Sequence, residues 1–216
     1  NIIYKISNMA HQDTENKIIG NLLRKPLESK SMHQLAKETT LSYITVHTIV
    51  PTLVKRKIVN LEKKGKSHLI SIDFEQAPID KLSSAMLHER ANFFRKHLSL
   101  LILTTELEEA LAEKFYILLL FGSYAQEKER ENSDVDLLFI IPESEKREEY
   151  SAKINKVLKL RSQPTIDYKI VSTRDFIEMV SQKYTVGRSV FREGIVLFGT
   201  EQYYALVKEY ARTKGY

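Results

Sequence analysis

The sequence predicts two domains within 216 residues: a mainly α, basic N-terminal module closed by a β-hairpin, and an α/β body. Three observations predict this. Residues 1–78 hold 12 of the chain's 33 Lys and Arg but 7 of its 28 Asp and Glu, so the whole net charge of +5 sits in the first third. Helical periodicity fills that third until two β-prone runs flank a glycine. Beyond residue 115, short apolar runs alternate with amphipathic helical stretches.

Composition narrows the class. At 43% hydrophobic and 28% charged residues the chain is ordinary globular protein, not an extended disordered one. Cysteine is absent, which excludes disulfides, thiolate zinc sites and a cysteine nucleophile. The six histidines lack metal-ligand spacing, and neither HExxH nor a Walker phosphate loop occurs. No apolar run approaches the roughly 20 residues that cross a bilayer. The first residues lack a charged-then-apolar leader, so the expected location is the cytoplasm, with no membrane partner.

The elements of the first module follow in order. Ile18, Ile19, Leu22 and Leu23 form one helical stripe over residues 14–24, and Lys25-Pro26 ends it because proline disfavours helical geometry in the residue before it. Ser31-Met-His-Gln34 is a capping-box start for a short helix to about Thr39, burying Met32 and Leu35. Ser42 can cap a third helix with Val46, Ile49, Val50 and Leu53 inward and Tyr43, Thr45, His47 and Thr48 outward. Pro51 removes the bond to the His47 carbonyl, so a bend is expected there. Ile58–Leu61 and His68–Ile72 flank the charged turn Glu62-Lys-Lys-Gly-Lys66 and read as a hairpin.

Three helices and a basic hairpin over residues 12–73 resemble the MarR- or ArsR-like winged helix-turn-helix domains of prokaryotic regulators. The resemblance implies a third helix in the major groove and a hairpin along the DNA backbone or minor groove, engaging duplex DNA through residues 31–72. Thr45, His47 and Thr48 are then candidates for base edges. Lys55, Arg56, Lys57, Lys63, Lys64 and Lys66 are candidates for phosphates. A homodimer matching paired half-sites is a further expectation.

Glu75-Gln-Ala-Pro78 marks a boundary. The expected organisation is a module at 1–76, a helical connector at 77–114 and a second domain at 115–216. The connector reads as two helices, the first with Leu82, Met86, Phe93 and Leu98 packed and the second with Leu101, Leu107 and Leu111. Later come a helix over 144–161 with Ile154, Val157 and Leu158 inward, and a capped helix start at Ser172-Thr-Arg-Asp175. A strand at Gly194–Phe198 and a final helix with Tyr203, Tyr204 and Tyr210 complete the chain.

The chemistry lies between residues 115 and 171. Phe115–Phe121 is a short apolar run consistent with a buried strand, and it ends at Gly122-Ser123. Ser133-Asp134-Val-Asp136 opens a second run, Leu137–Ile141. On a strand, residues two apart face the same side, so Asp134 and Asp136 share one face. Two carboxylates beside a buried strand are costly without a cation or basic partner. Thr165–Val171 reads as another strand carrying Asp167. Three acids on adjacent strands can surround a divalent metal, and hard cations such as magnesium prefer all-oxygen ligands.

Gly122-Ser123-Tyr-Ala125 followed by Ser133-Asp134-Val-Asp136-Leu137 resembles the signature of the DNA polymerase beta-like nucleotidyltransferases, notably the minimal prokaryotic members that include antitoxins. The resemblance covers about residues 100–200 and implies an α/β nucleotidyltransferase fold on a mixed sheet. It also implies that Gly122 and Ser123 hold nucleotide phosphates, and that Asp134 and Asp136 ligate two Mg2+ ions. Asp167 would complete the catalytic shell and help deprotonate an acceptor hydroxyl. The implied reaction moves NMP from an NTP, ATP foremost, to an acceptor and releases pyrophosphate. Protein acceptors and a toxin partner are among the alternatives, as is a regulator whose second domain senses nucleotide or is inactive. Many family members carry Arg-Gly after the alanine. Here Gln126-Glu127 stand there, which predicts an altered turn and added negative charge.

Overall fold

The computed structural model describes residues 2–65, 67–159, 164–182 and 185–214. Lys66 and the expected helix end at Arg161 lie outside the described residues. The chain divides by compactness into Asn1–Glu89 with Tyr204–Tyr216, and Arg90–Tyr203, whereas the composition shifts suggested divisions near 76 and 114.

In the first unit, helix α1 spans Ile2–Leu23, starting earlier than the apolar stripe suggested. Ile18, Ile19, Leu22 and Leu23 are buried. Strand β1 (Lys30–Ser31) precedes α2 (Met32–Thr39), where Ser31 and Gln34 form the expected capping box. Helix α3 (Tyr43–Lys55) is capped by Ser42, buries Val46, Ile49, Val50 and Leu53, and continues through Pro51. Strands β2 (Val59–Lys64) and β3 (Ser67–Ile72) pair antiparallel, and β1 pairs with the other edge of β3, giving the order β1-β3-β2. The hairpin strands therefore extend into the charged stretch read as turn. Asn60–Lys64 face solvent, so that stretch offers no apolar alternation to read.

Lys30 and Glu15 are among the polar residues buried in this unit. The Lys30 ammonium donates to the Asn21 carbonyl, to Asn21 Oδ1 at 2.8 Å and to Glu38 Oε2 at 2.7 Å. Burial disfavours the Glu38 charge, but the Lys30 hydrogen bond and charge outweigh it and hold Glu38 below its ordinary range. Glu15, 2% exposed, accepts from Arg56 Nη1 at 2.7 and 2.8 Å. A lone buried carboxylate is costly, so this pair ties α1 to the end of α3.

Helix α4 (Ile79–Lys96) crosses the division at Glu89, and α5 (Leu98–Ala110) follows after His97. Leu82, Met86, Phe93, Leu107 and Leu111 are buried as expected. Leu98 is not part of the first helix core: it opens α5 and is 64% exposed, and Leu101 is exposed too. The helices break at His97, which stands at the N-cap of α5.

The second unit is built on strands β4 (Ile117–Phe121), β5 (Val135–Ile141), β6 (Ile166–Ser172) and β7 (Ile195–Phe198) in the order β6-β5-β4-β7. β5 and β6 are parallel, joined through helix α7 (Arg147–Leu158), while β4 is antiparallel to both its neighbours. The sheet is therefore mixed. Ile117–Leu120 and Leu137–Ile141 are buried on both faces, which explains two unbroken apolar runs where an exposed sheet would alternate. Helix α8 (Thr173–Ser181) starts with the expected capping box at Ser172 and Asp175. Helix α9 (Val186–Glu193), capped by Thr185, was not foreseen. Helix α10 (Thr200–Lys214) crosses the second division; Tyr203, Tyr204 and Tyr210 are core residues.

Candidate active site

The site begins where β4 ends. Gly122 has φ +71°, and a Cβ there would lie 2.0 Å from Asp136 Oδ2, so both the backbone and the space demand glycine. Gly122–Ala125 form the single-turn helix α6. The loop then folds back: Lys128 N donates to the Ser123 carbonyl at 3.0 Å. Ser133 closes the last turn, its Oγ accepting from Arg130 N at 2.8 Å and its N–H donating to the Arg130 carbonyl. Val135 N then donates to Thr165 O, starting the parallel ladder and delivering Asp134 beside the strand ends.

Glu127 occupies the left-handed region at φ +55°. Glu127 adopts the conformation a glycine would take, at a steric cost that glycine avoids. Its carboxylate accepts from Lys96 Nζ at 2.7 Å, so its charge is partnered. Next to it, His97 stacks on Phe93 and meets the edge of Tyr124, with Nε2 3.7 Å from Glu129 Oε1.

The three acids meet through strand register. Phe121 pairs with Asp136 across β4 and β5, and Asp136 pairs with Asp167 across β5 and β6. Side-chain alternation then puts Asp136 and Asp167 on one face, with Asp134 two residues before Asp136. Burial pushes the Asp136 carboxyl up from its ordinary range, and the charges of Asp167 and then Asp134 add to this, while Lys169 opposes it. Among the described residues, no three His, Cys, Asp or Glu are already closed into a metal-binding group. The acids are neighbours that repel one another, and their all-oxygen, like-charged donor set suits a hard divalent cation. Lys169, two residues after Asp167 on the same face, was not singled out in the sequence, though the Asp-Tyr-Lys spacing carries the signal.

The residues expected to touch DNA are dispersed over α3 and the hairpin. His47, Thr48, Lys55, Lys57, Lys63 and Lys64 are exposed, and Lys66 is outside the described residues. Thr48 donates its hydroxyl to the Ile44 carbonyl. Two of the expected DNA-facing residues are otherwise engaged. Thr45 is half-buried with its hydroxyl 2.8 Å from Ser42 Oγ in the helix cap, and Arg56 is bound to Glu15. Tyr43 lies between the rings of His33 and His47, and Ile44 is 77% exposed beside them. Arg188 donates to the Val180 carbonyl, and Arg192 lies 3.8 Å from Glu193.

No curated protein matches the chain. The chain is similar, at 19% identity over 52% of its length and 90% of the other chain, to a solved structure described as the crystal structure of the toxin-antitoxin with AMP-PNP; the TM-score is 0.33. Residues 103–203 match the family model described as polymerase beta, nucleotidyltransferase. That match encloses β4 to β7, the Gly122 turn and all three acids, so the whole candidate site lies within the stretch similar to the nucleotidyltransferase model.

Proposed function

We propose that the domain transfers NMP from an NTP, with ATP the first candidate, to an acceptor hydroxyl and releases pyrophosphate. The observation that carries this is the row Phe121, Asp136, Asp167 across β4, β5 and β6, with Gly122 packed against the Asp136 carboxylate. Gly122 lets the backbone at the start of α6 approach a triphosphate, and Ser123 supplies a hydroxyl there. Asp134, Asp136 and Asp167 would hold magnesium, which when bound supplies charge neutralisation and aligns the α-phosphate for in-line displacement. Asp167, at the far end of the row, orients the acceptor and draws its proton. The Lys96–Glu127 pair holds the loop that carries the chain from the phosphate turn back to Asp134.

Incubation with magnesium and α-labelled NTPs tests the reading. The parent chain transfers label, and Asp134→Ala and Asp136→Ala lose it by at least about a hundredfold. Equal labelling by parent and variants overturns the assignment.

The first unit supports a second activity. The order α1-β1-α2-α3-β2-β3, with exposed His47, Thr48, Lys55, Lys57, Lys63 and Lys64, suits a winged helix-turn-helix that binds duplex DNA. On this reading, phosphate contacts supply affinity and α3 supplies sequence preference.

A further inference from the structure

We propose that Lys169 is a specificity residue on the acceptor side of the site, selecting a hydroxyl acceptor that carries a phosphate beside it, as a polynucleotide 3′ end does. The inference rests on the nucleotidyl-transfer reading above. The sheet order β6-β5-β4 sets the two sides of the site. Gly122 and Ser123 stand at the end of β4 and would receive the triphosphate, while Asp167 stands on β6, so the acceptor approaches from the β6 side. Lys169 lies on that same strand, two residues after Asp167 and on its face, opposite Leu138 in the register. It is exposed, and among the described residues it makes no ion pair, although its charge reaches Asp136.

An edge strand explains a lysine as a guard against strand pairing, but not its place on the acids' face. With the carboxylates neutralised by cations, the Lys169 ammonium stays as a basic group two residues from Asp167 on its face, and an anion on the acceptor matches it. The basic excess of residues 1–78 favours a polynucleotide over other phosphate-bearing acceptors. In the step itself, the acceptor oxygen bonds to the α-phosphorus as the α–β P–O bond breaks. Pyrophosphate leaves with the electron pair, and the hydroxyl proton passes to Asp167 and on to solvent. Lys169 forms and breaks no bond.

The test uses the full chain with magnesium, α-labelled ATP and two short single-stranded RNAs, one natural and one with an uncharged methylphosphonate at its last linkage. The natural strand is expected to show a KM about tenfold lower, the scale of one charge-assisted hydrogen bond. Lys169→Met abolishes that gap without changing KM for ATP, and Lys169→Arg keeps it. The proposal is overturned if Lys169→Met preserves the gap, if the parent treats both strands alike, or if it leaves the natural strand unextended. Magnesium-dependent binding of a fluorescent ATP analogue, measured without acceptor, separates the two levels. Binding without use of the RNA overturns the acceptor assignment alone, and no binding removes the transfer reading beneath it.

Discussion

Asp136 bears the conflict at the centre of the site. It is half-buried, it lies against the Gly122 backbone, and it feels two other carboxylates. Its folded pKa lies above its unfolded value, so the folded chain binds more protons in the window just above the ordinary carboxylate range. Stability contributed by this group is present below that window and is lost as pH rises through it. Without divalent cations, Asp136→Asn should therefore melt higher than the parent at neutral pH, by roughly 2–4 °C per kcal/mol relieved. The difference should close at acid pH, and a variant that melts lower at neutral pH contradicts the account. Gly122→Ala meets both the left-handed backbone and the Asp136 carboxylate. It should cost about 1–3 kcal/mol of stability and abolish NTP binding; denaturant melts and nucleotide titration read the two effects separately. At Glu127, replacement by glycine relieves the positive φ and loses the Lys96 pair. These effects nearly offset, so a stability change within about 1 kcal/mol is expected.

At the scale of elements, the ends of helices were legible and their surroundings less so. Ser31 with Gln34, Ser42, and Ser172 with Asp175 all cap where the sequence predicts, because capping is local chemistry over four residues. The apolar strands β4 and β5 and the Asp-x-Asp spacing were equally plain. What the sequence could not show is register: that Asp167 pairs with Asp136 depends on where β6 docks along β5, far apart in the chain. The exposed side of β2 hid its extent, and the break at His97 moved Leu98 and Leu101 out of the core. The Arg56–Glu15 pair could not be read because the two residues lie 41 apart in the chain. Cutting that tie gives an element-scale prediction. Arg56→Met leaves Glu15 buried without its guanidinium and should cost on the order of 3 kcal/mol, seen as a lower urea midpoint. An unchanged midpoint would leave α1 anchored by its apolar stripe alone.

For the whole molecule, charge placement is the organising fact. The first third carries the net +5 while the remainder is neutral, so the proposed binding of duplex DNA should weaken steeply with salt. Exchanging Lys63 and Lys64 for alanine should reduce the logarithmic salt slope by about one for each phosphate that is no longer neutralised. The same pair of substitutions should leave NMP transfer to a short acceptor unchanged. A slope that does not move means those lysines do not meet phosphates.

The unit Asn1–Glu89 is completed by Tyr204–Tyr216, where Lys208 Nζ donates to the carbonyls of Glu75 and Ala77. Arg90–Tyr203 is thus an insertion within another unit. During synthesis the inserted part is complete in sequence before the last strap of its host has been added. It can mature first, while the enclosing part waits for translation to pass residue 204.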